Sequence, residues 1–224
     1  MDITGSVTAQ ERAYTYLRDR ILNLEFKPNA ALRTQAIAAA TELSRTPVRE
    51  ALVRLEQAGL VVREGGWGYR VRPISFKEAM DVYKVREALE VEAVTEALPL
   101  LEATSFAHLR ACLKTAEEKL RQRRAKEFRE NTRRFHRSIA LATGNSFLIS
   151  MLLTIEDRIH LLGAMMAKHH GDHPQQSLAE NYALLKALES RDGAAAVAAV
   201  RKHVSSAREV ITRYVLTEDA QLAR

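Results

Sequence analysis

One short segment interrupts the helical pattern of this 224-residue chain. Residues 60–64 are rich in β-prone side chains, residues 69–72 alternate apolar and polar ones, and the glycine-rich sequence 65–68 lies between them. This arrangement predicts a β-hairpin. Before it, apolar residues recur at helical spacing and predict three helices, over residues 8–24, 34–40 and 44–58. Three helices followed by a hairpin are what a winged helix-turn-helix domain needs.

Helical periodicity resumes at Phe76 and continues to about Leu216 without a further strand signal. Proline, glycine and polar residues divide this stretch into six predicted helices, over residues 76–98, 104–121, 123–142, 145–169, 175–190 and 193–216. The connections between them are short, which favours an antiparallel bundle.

The expected architecture is therefore mainly α, with two domains. A winged helix-turn-helix with a β-hairpin wing occupies residues 1–72, and residues 73–77 form a linker. An antiparallel bundle of about six helices, expected to bind an effector and to dimerise, occupies residues 78–224.

Composition narrows the class of protein. Hydrophobic residues make up 46% of the chain, enough to bury a core and to exclude wholesale disorder. No apolar stretch approaches the roughly 20 residues that a membrane span requires, and the polar N-terminus lacks the apolar core of a signal peptide. The single cysteine, Cys112, suits a reducing compartment. We therefore expect a cytoplasmic protein without membrane association.

The third predicted helix carries residues suited to nucleic acid. Arg45 and Arg49 lie four residues apart and share one helix face, where arginine can pair with guanine or clamp phosphate. The hydroxyls of Ser44 and Thr46, at the helix N-terminus, suit phosphate contacts. The net charge of +6 permits a polyanionic partner without demonstrating one. On these residues alone, a winged domain used for protein contact stays open.

The sequence of this helix, Ser44-Arg45-Thr46-Pro47-Val48-Arg49-Glu50-Ala51-Leu52, resembles that of the GntR family of bacterial transcriptional regulators. The resemblance implies binding of a double-stranded DNA operator. It implies DNA contacts from the recognition helix, the start of the second helix and the wing, namely Arg33, Gln35, Ser44, Arg45, Thr46, Pro47, Arg49, Gly66 and Trp67. Two positions depart from the family pattern: Glu42 stands where the turn usually has glycine, and Gln35 where arginine is usual.

The second domain resembles the FCD-type ligand domain of the FadR-like subfamily, through residues 81–90, 134–137 and Gly144-Asn145. The resemblance implies a homodimeric regulator, expected to be a repressor, whose bundle binds a small effector that is often a carboxylate. Effector contacts are expected from Arg86, Arg134, His136, Asn181 and His203.

Many members of this subfamily hold a divalent metal on a carboxylate, a histidine four residues later and two further histidines. His136 and His203 match two of these positions, whereas Thr132 and Asn181 occupy the other two. The sequence leaves two interpretations open. Either zinc or nickel binds to His136, His203 and Asn181, or the two histidines are hydrogen-bonding cavity residues without metal.

Arg86 is expected to face the interior of the bundle, where a guanidinium needs an anionic partner. That partner is either a ligand carboxylate or Glu90, one turn further along the helix. The bundle has no recognisable nucleophile, no general base beside its histidines and no nucleotide-binding glycine loop, so we do not expect an enzyme. The alternatives to a metabolite-responsive regulator are a metal-dependent enzyme or a protein-interaction module built on the bundle.

Overall fold

The computed structural model describes residues 7–65, 68–166 and 173–222. The chain divides into two compact units, Met1–Ile74 and Ser75–Arg224. Phe76 and Lys77, which fall both in the predicted linker and in the predicted helix over residues 76–98, belong to the first turn of a helix whose N-cap is Ser75. The Ser75 hydroxyl accepts a hydrogen bond from the Glu78 amide, which fixes that helix start.

The described residues of the first unit form three helices and a three-stranded sheet. Its elements are α1 (Ala9–Leu22), β1 (Ala31–Leu32), α2 (Thr34–Thr41), α3 (Arg45–Gln57), β2 (Val61–Glu64) and β3 (Gly68–Val71). The predicted hairpin is the antiparallel pair of β2 and β3, and β1 adds to the other edge of β3. The strand β1 was not predicted, because two residues are too few to show an alternating pattern.

The helices of this unit pack through apolar stripes that the sequence already displays. Ala13, Leu17 and Ile21 of α1 are completely buried. They share a core with fully or almost fully buried residues of α3, of the sheet and of the position just before β2, which are Val48, Ala51, Leu52, Leu55, Leu60, Val61 and Val71. Burying a side chain of this size stabilises the fold by about 1.5–3 kcal/mol, so this core holds α3 firmly.

The hairpin turns through Gly65, whose φ of 44° is in the left-handed region. Gly68 is required for a different reason: a Cβ atom there would lie 2.9 Å from the carbonyl oxygen of Glu64. Two predicted wing residues, Gly66 and Trp67, lie outside the described residues.

The second unit consists of helices. They are α4 (Phe76–Ala97), α5 (Ala103–Arg121), α6 (Ala125–Ala142), α7 (Ser146–Met166), α8 (His173–Glu189) and α9 (Gly193–Leu222), with a short 3-10 turn at Leu98–Leu100. Helix α4 packs against α6, α7 and α9, while α5 packs against α6 and α8. The predicted mainly α architecture, a winged helix-turn-helix followed by a six-helix bundle, is confirmed. Within the described residues, no helix has the length and apolar content needed to cross a membrane.

Candidate DNA-binding surface and effector cavity

The N-terminal turn of α3 presents polar side chains to solvent. Ser44, the N-cap residue, and Arg45, Thr46 and Arg49 are exposed, and Pro47 is half-buried. Pro47 is tolerated because amide groups in the first turn have no partner within the helix. Since the opposite side of α3 is buried, these exposed residues are held on a rigid helix.

Arg33 and Gln35 lie at the start of α2. Arg33 is the N-cap residue of that helix, Gln35 is in its first turn, and both are exposed. The turn that follows α2 contains Glu42, with φ 55° and ψ 33°. A left-handed conformation at this position explains why glycine is suited to it. The amide of Leu43 donates to the carbonyl of Ala38 and closes the turn.

Arg54, a residue of α3 for which no role was predicted, connects α3 to α1. Its Nη1 lies 2.6 Å from Glu11 Oε2, and its guanidinium lies 4.1 Å from the centre of the Tyr14 ring. These contacts fix the position of α3 within the unit.

The second unit contains a cavity with a volume of about 190 Å³. All six helices contribute to its wall, which is mostly apolar. Its polar and charged lining comes from Tyr83, Arg86, Glu90, Arg129, Thr132, Arg133, His136, Arg137, Glu156, His160, His173, Ser177, Asn181 and His203. A concave, mainly apolar site with a few converging polar groups is typical of small-molecule binding.

Arg86 and Glu90 form a buried ion pair on α4, with 2.6 Å between Nε and Oε1. Their residues are only 6% and 8% exposed. Burial alone raises the pKa of Glu90, but Arg86, and then His136, hold it well below its ordinary value. The structure thus decides between the two partners expected for Arg86: its charge is met by Glu90.

His136 of α6 extends this pair across the bundle. Its Nε2 lies 2.9 Å from the amide oxygen of Asn181, to which the ring donates, because that oxygen can only accept. Its Nδ1 lies 3.1 Å from Glu90 Oε2, at ion-pair distance but without the alignment of a hydrogen bond. Arg86, Glu90, His136 and Asn181 therefore form one continuous polar row, which we call the polar wall.

His203 of α9 stacks on His136, with ring centroids 5.0 Å apart. Burial lowers the pKa of His203 to about 4, so the ring is neutral at pH 7. Its Nδ1 lies 3.1 Å from Glu180 Oε2, and the hydroxyl of Ser206 donates to the other oxygen of that carboxylate at 2.6 Å. Glu180 was not among the predicted site residues, although it directly precedes Asn181 in the chain.

The metal interpretation fails on the donor set. The side chains at the four metal-ligand positions of the family all line the cavity, namely Thr132, His136, Asn181 and His203. However, both ring nitrogens of His136 face protein partners, and the Thr132 hydroxyl donates to the carbonyl of Arg129 at 3.0 Å. In the part of the chain that the structure describes, no three histidine, cysteine or carboxylate side chains are grouped to hold an ion. We therefore assign no chemistry to a metal here.

The prediction for Arg134 is also corrected. Its side chain is 63% exposed and lies 3.5 Å from Glu130. The arginines of α6 that line the cavity are instead Arg129, Arg133 and Arg137.

Comparisons with known proteins agree with both units. Residues 9–71 match the bacterial regulatory proteins of the gntR family, and residues 81–206 match the FCD domain. The chain is 25% identical to the uncharacterized HTH-type transcriptional regulator YdhC of Bacillus subtilis (strain 168), over 92% of this chain and 91% of that protein. It is 23% identical to the HTH-type transcriptional repressor RspR of Escherichia coli (strain K12), over 90% and 88% of the two chains.

The fold is likewise similar to that of E. coli McbR/YncC, with a TM-score of 0.81 at 19% identity, over 93% of this chain and 99% of the other. These families and relatives are transcriptional regulators and not enzymes. The matches cover both the recognition helix and the bundle that forms the cavity. This DNA-binding chain therefore belongs to the GntR family of transcriptional regulators and carries an FCD domain.

Proposed function

We propose that this regulator is a cytoplasmic, homodimeric repressor that binds an operator through α3 and releases it when a small organic acid enters the cavity. The observation that carries the proposal is the cavity itself. A single chain combines an exposed, rigid recognition helix with a mainly apolar cavity that has a polar wall. The similarity to a protein named as a transcriptional repressor supports repression rather than activation.

DNA contacts are assigned by the position of each residue. Arg45 and Arg49 reach base edges in the major groove, since both are exposed in the first turns of α3. Ser44, Thr46 and the half-buried Pro47 lie at the helix N-terminus, which favours contacts with phosphate. Further backbone contacts are assigned to the exposed α2 residues and, from the sequence alone, to the wing, namely Arg33, Gln35, Gly66 and Trp67.

The effector is placed in the cavity against the polar wall and His203. Arg86, His136, Asn181 and His203 all line this space. Because Glu90 neutralises Arg86, we assign Arg86 the role of holding Glu90 and His136 in position rather than that of a free cation.

Exposed apolar side chains on α7 support a dimer. Phe147 is 80% exposed, and Met151, one turn later on the same face, is 54% exposed. Leu141, near the end of α6, is 51% exposed. Large apolar side chains left in water at adjacent helix turns are a feature of protein interfaces, and we assign this face to contact with a second copy of the chain.

Operator selection from a random double-stranded DNA library, followed by fluorescence anisotropy, tests the proposal. We expect one enriched sequence with half-sites about one helical turn apart. Arg49→Ala should abolish specific binding, whereas Lys114→Ala, which removes an exposed charge from α5, should not. Equal affinity for selected and random DNA would contradict operator recognition and favour a protein-interaction module. Native mass spectrometry then identifies any molecule that co-purifies in the cavity.

A further inference from the structure

The arginines around the cavity are unequally neutralised. Arg133 lies 2.6 Å from Glu130 and 4.0 Å from Glu156, and Arg137 lies 3.9 Å from Glu156. Arg86 has its own carboxylate, as described above. Arg129 differs: no ion pair joins it to a carboxylate of the described residues, and burial is what perturbs its guanidinium.

The lack of an ion pair at Arg129 is unusual because of the surroundings of its guanidinium. Its Nε is buried and has no hydrogen-bond partner among the described residues. Burial lowers the pKa of this guanidinium, but arginine remains charged at neutral pH. The side chain as a whole is half-buried, and a cation partly removed from water still favours a counterion.

The neighbouring histidine adds no further positive charge beside Arg129. His160 of α7 has its pKa lowered to about 4, by burial first and then by Arg129 and Arg133. The imidazole is therefore neutral at pH 7, and this end of the cavity keeps the positive charge of Arg129.

A second donor in the same cavity is also unsatisfied. Asn181 is completely buried, and its Nδ2 has no acceptor within the part of the chain that is described. Buried donors without an acceptor are rare in folded proteins, and each one needs a partner such as a bound water, ion or ligand. Two such donors, one of them cationic, call for a ligand that carries acceptor oxygens and negative charge.

The remaining wall determines the rest of the ligand. It is formed by apolar side chains that include Val94, Phe128, Ile139, Leu152 and Ile159. A dry cavity of roughly 150 Å³ accommodates benzene, and this cavity measures about 190 Å³. An acid with a compact apolar body, about the size of one ring, fits this volume.

We propose that Arg129 is the anion-binding residue of the effector cavity, and that it pairs with the carboxylate of a small organic acid whose apolar body fills the remaining space. This inference rests on the proposed function of the cavity. It assigns to Arg129 the role that the sequence suggested for Arg86 and Arg134.

The test uses two ring-sized probes that differ in charge, benzoate and benzamide, with affinities measured by isothermal titration calorimetry on the full chain. We expect benzoate to bind the wild-type chain at least tenfold more tightly than benzamide. Arg129→Gln should weaken benzoate binding roughly ten- to a hundredfold, the loss expected for a charged hydrogen bond, and leave benzamide unchanged. Arg134→Gln is the matched control on the same helix and should leave both affinities unchanged.

Arg129→Lys keeps the charge without the planar fork and should lie between the wild type and Arg129→Gln. It also preserves the test if the glutamine variant fails to fold. Unchanged benzoate affinity in both variants would overturn the assignment, and so would equal losses at Arg129 and Arg134. Failure of the wild-type chain to bind either probe would overturn the ligand class. Operator binding measured on the same samples separates these failures from failure of the proposed regulator function.

Discussion

The imidazole rings of His136 and His203 stack at 5.0 Å with their planes only 22° apart. A carboxylate from a different helix lies beside each ring: Glu90 of α4 contacts His136, and Glu180 of α8 contacts His203. The stacked pair therefore connects α4, α6, α8 and α9 at the cavity. Its protonation, its charge partners and its similarity to a metal site each lead to a measurable consequence.

Stability should fall as the pH is lowered from 6.5 towards 4.5. The pKa of His203 is about 4 in the folded chain, against an ordinary value of 6.5, and His160 behaves in the same way. In this range the unfolded chain binds protons that the folded chain does not, so the free energy of unfolding decreases. The decrease from pH 6.5 to 5 should be about 1–2 kcal/mol for each histidine.

Urea unfolding at several pH values measures this effect. His203→Gln should reduce the slope of stability against pH, whereas the exposed His108→Gln should not. Glu90 and Glu180 affect the pH dependence of stability only at lower pH. Above their ordinary pKa of 4.5 both carboxylates are mostly ionised in the unfolded chain, and their lowered pKa values keep them ionised in the folded chain. An unchanged slope in His203→Gln would show that the pKa of this ring is not lowered in the folded chain.

Glu90→Gln should destabilise the second unit strongly. It would leave the Arg86 guanidinium buried without a counterion, and breaking a buried pair in this way typically costs 3–5 kcal/mol. Arg86→Met combined with Glu90→Gln should be less destabilising than the sum of the single changes, because the uncompensated charge is gone. Asp81→Asn is the control: it breaks an exposed pair with Lys77 on the same helix at the same spacing. Denaturant unfolding should show no measurable loss for that control.

A zinc site should form when Thr132 and Asn181, which differ from the metal-binding pattern of the family, are replaced by the ligands usual at those positions. Thr132→Asp places a carboxylate one turn before His136, and Asn181→His replaces the amide that occupies His136 Nε2. The double variant then presents four ligands of the types that zinc prefers. After incubation with zinc and dialysis, elemental analysis should find about one ion per chain in the variant and none in the wild type. Stoichiometric zinc in the wild type would contradict the interpretation of its donor set, and adding His203→Ala should abolish uptake by the variant.

The oligomeric state should depend on the exposed face of α7. Phe147→Asp places a charge where an 80% exposed phenylalanine now lies, and a charge at the centre of an apolar interface is strongly unfavourable. Light scattering coupled to size-exclusion chromatography should find a dimer in the wild type and a monomer in this variant. Leu100→Asp changes an equally apolar residue, 54% exposed, outside α7 and should leave the dimer intact. A dimer that survives Phe147→Asp would place the interface elsewhere.

Much of the fold could be predicted because its signals are local. Each long helix repeats its apolar residues every three to four positions, and the glycine-rich turn marks the hairpin. The strand Ala31–Leu32 could not be predicted in this way, since its formation depends on pairing with Arg70 and Tyr69, far along the chain.

The site could be predicted only in part. The spacing along α6 already distinguishes its arginines. Arg129 lies seven residues before His136 and therefore on the same helix face, whereas Arg134 lies two residues before His136 and is rotated from it by about 200° around the helix axis. The family resemblance directed attention to Arg134 instead. The pairing of Glu180 with His203 leaves no comparable local signal, because it arises from the packing of α8 against α9.

Replacing Glu42 should stabilise the first unit. Glu42 adopts a left-handed conformation after α2, which costs a residue with a Cβ atom roughly 1 kcal/mol relative to glycine. Thermal unfolding should therefore rank Glu42→Gly as most stable, followed by Glu42→Asn, the wild type and Glu42→Val, since asparagine tolerates this region and β-branched residues do not. Ala39→Gly is the matched control within α2, where glycine should instead destabilise by about 1 kcal/mol. If Glu42→Gly were no more stable than the wild type, side-chain contacts of Glu42 would have to compensate for its backbone conformation.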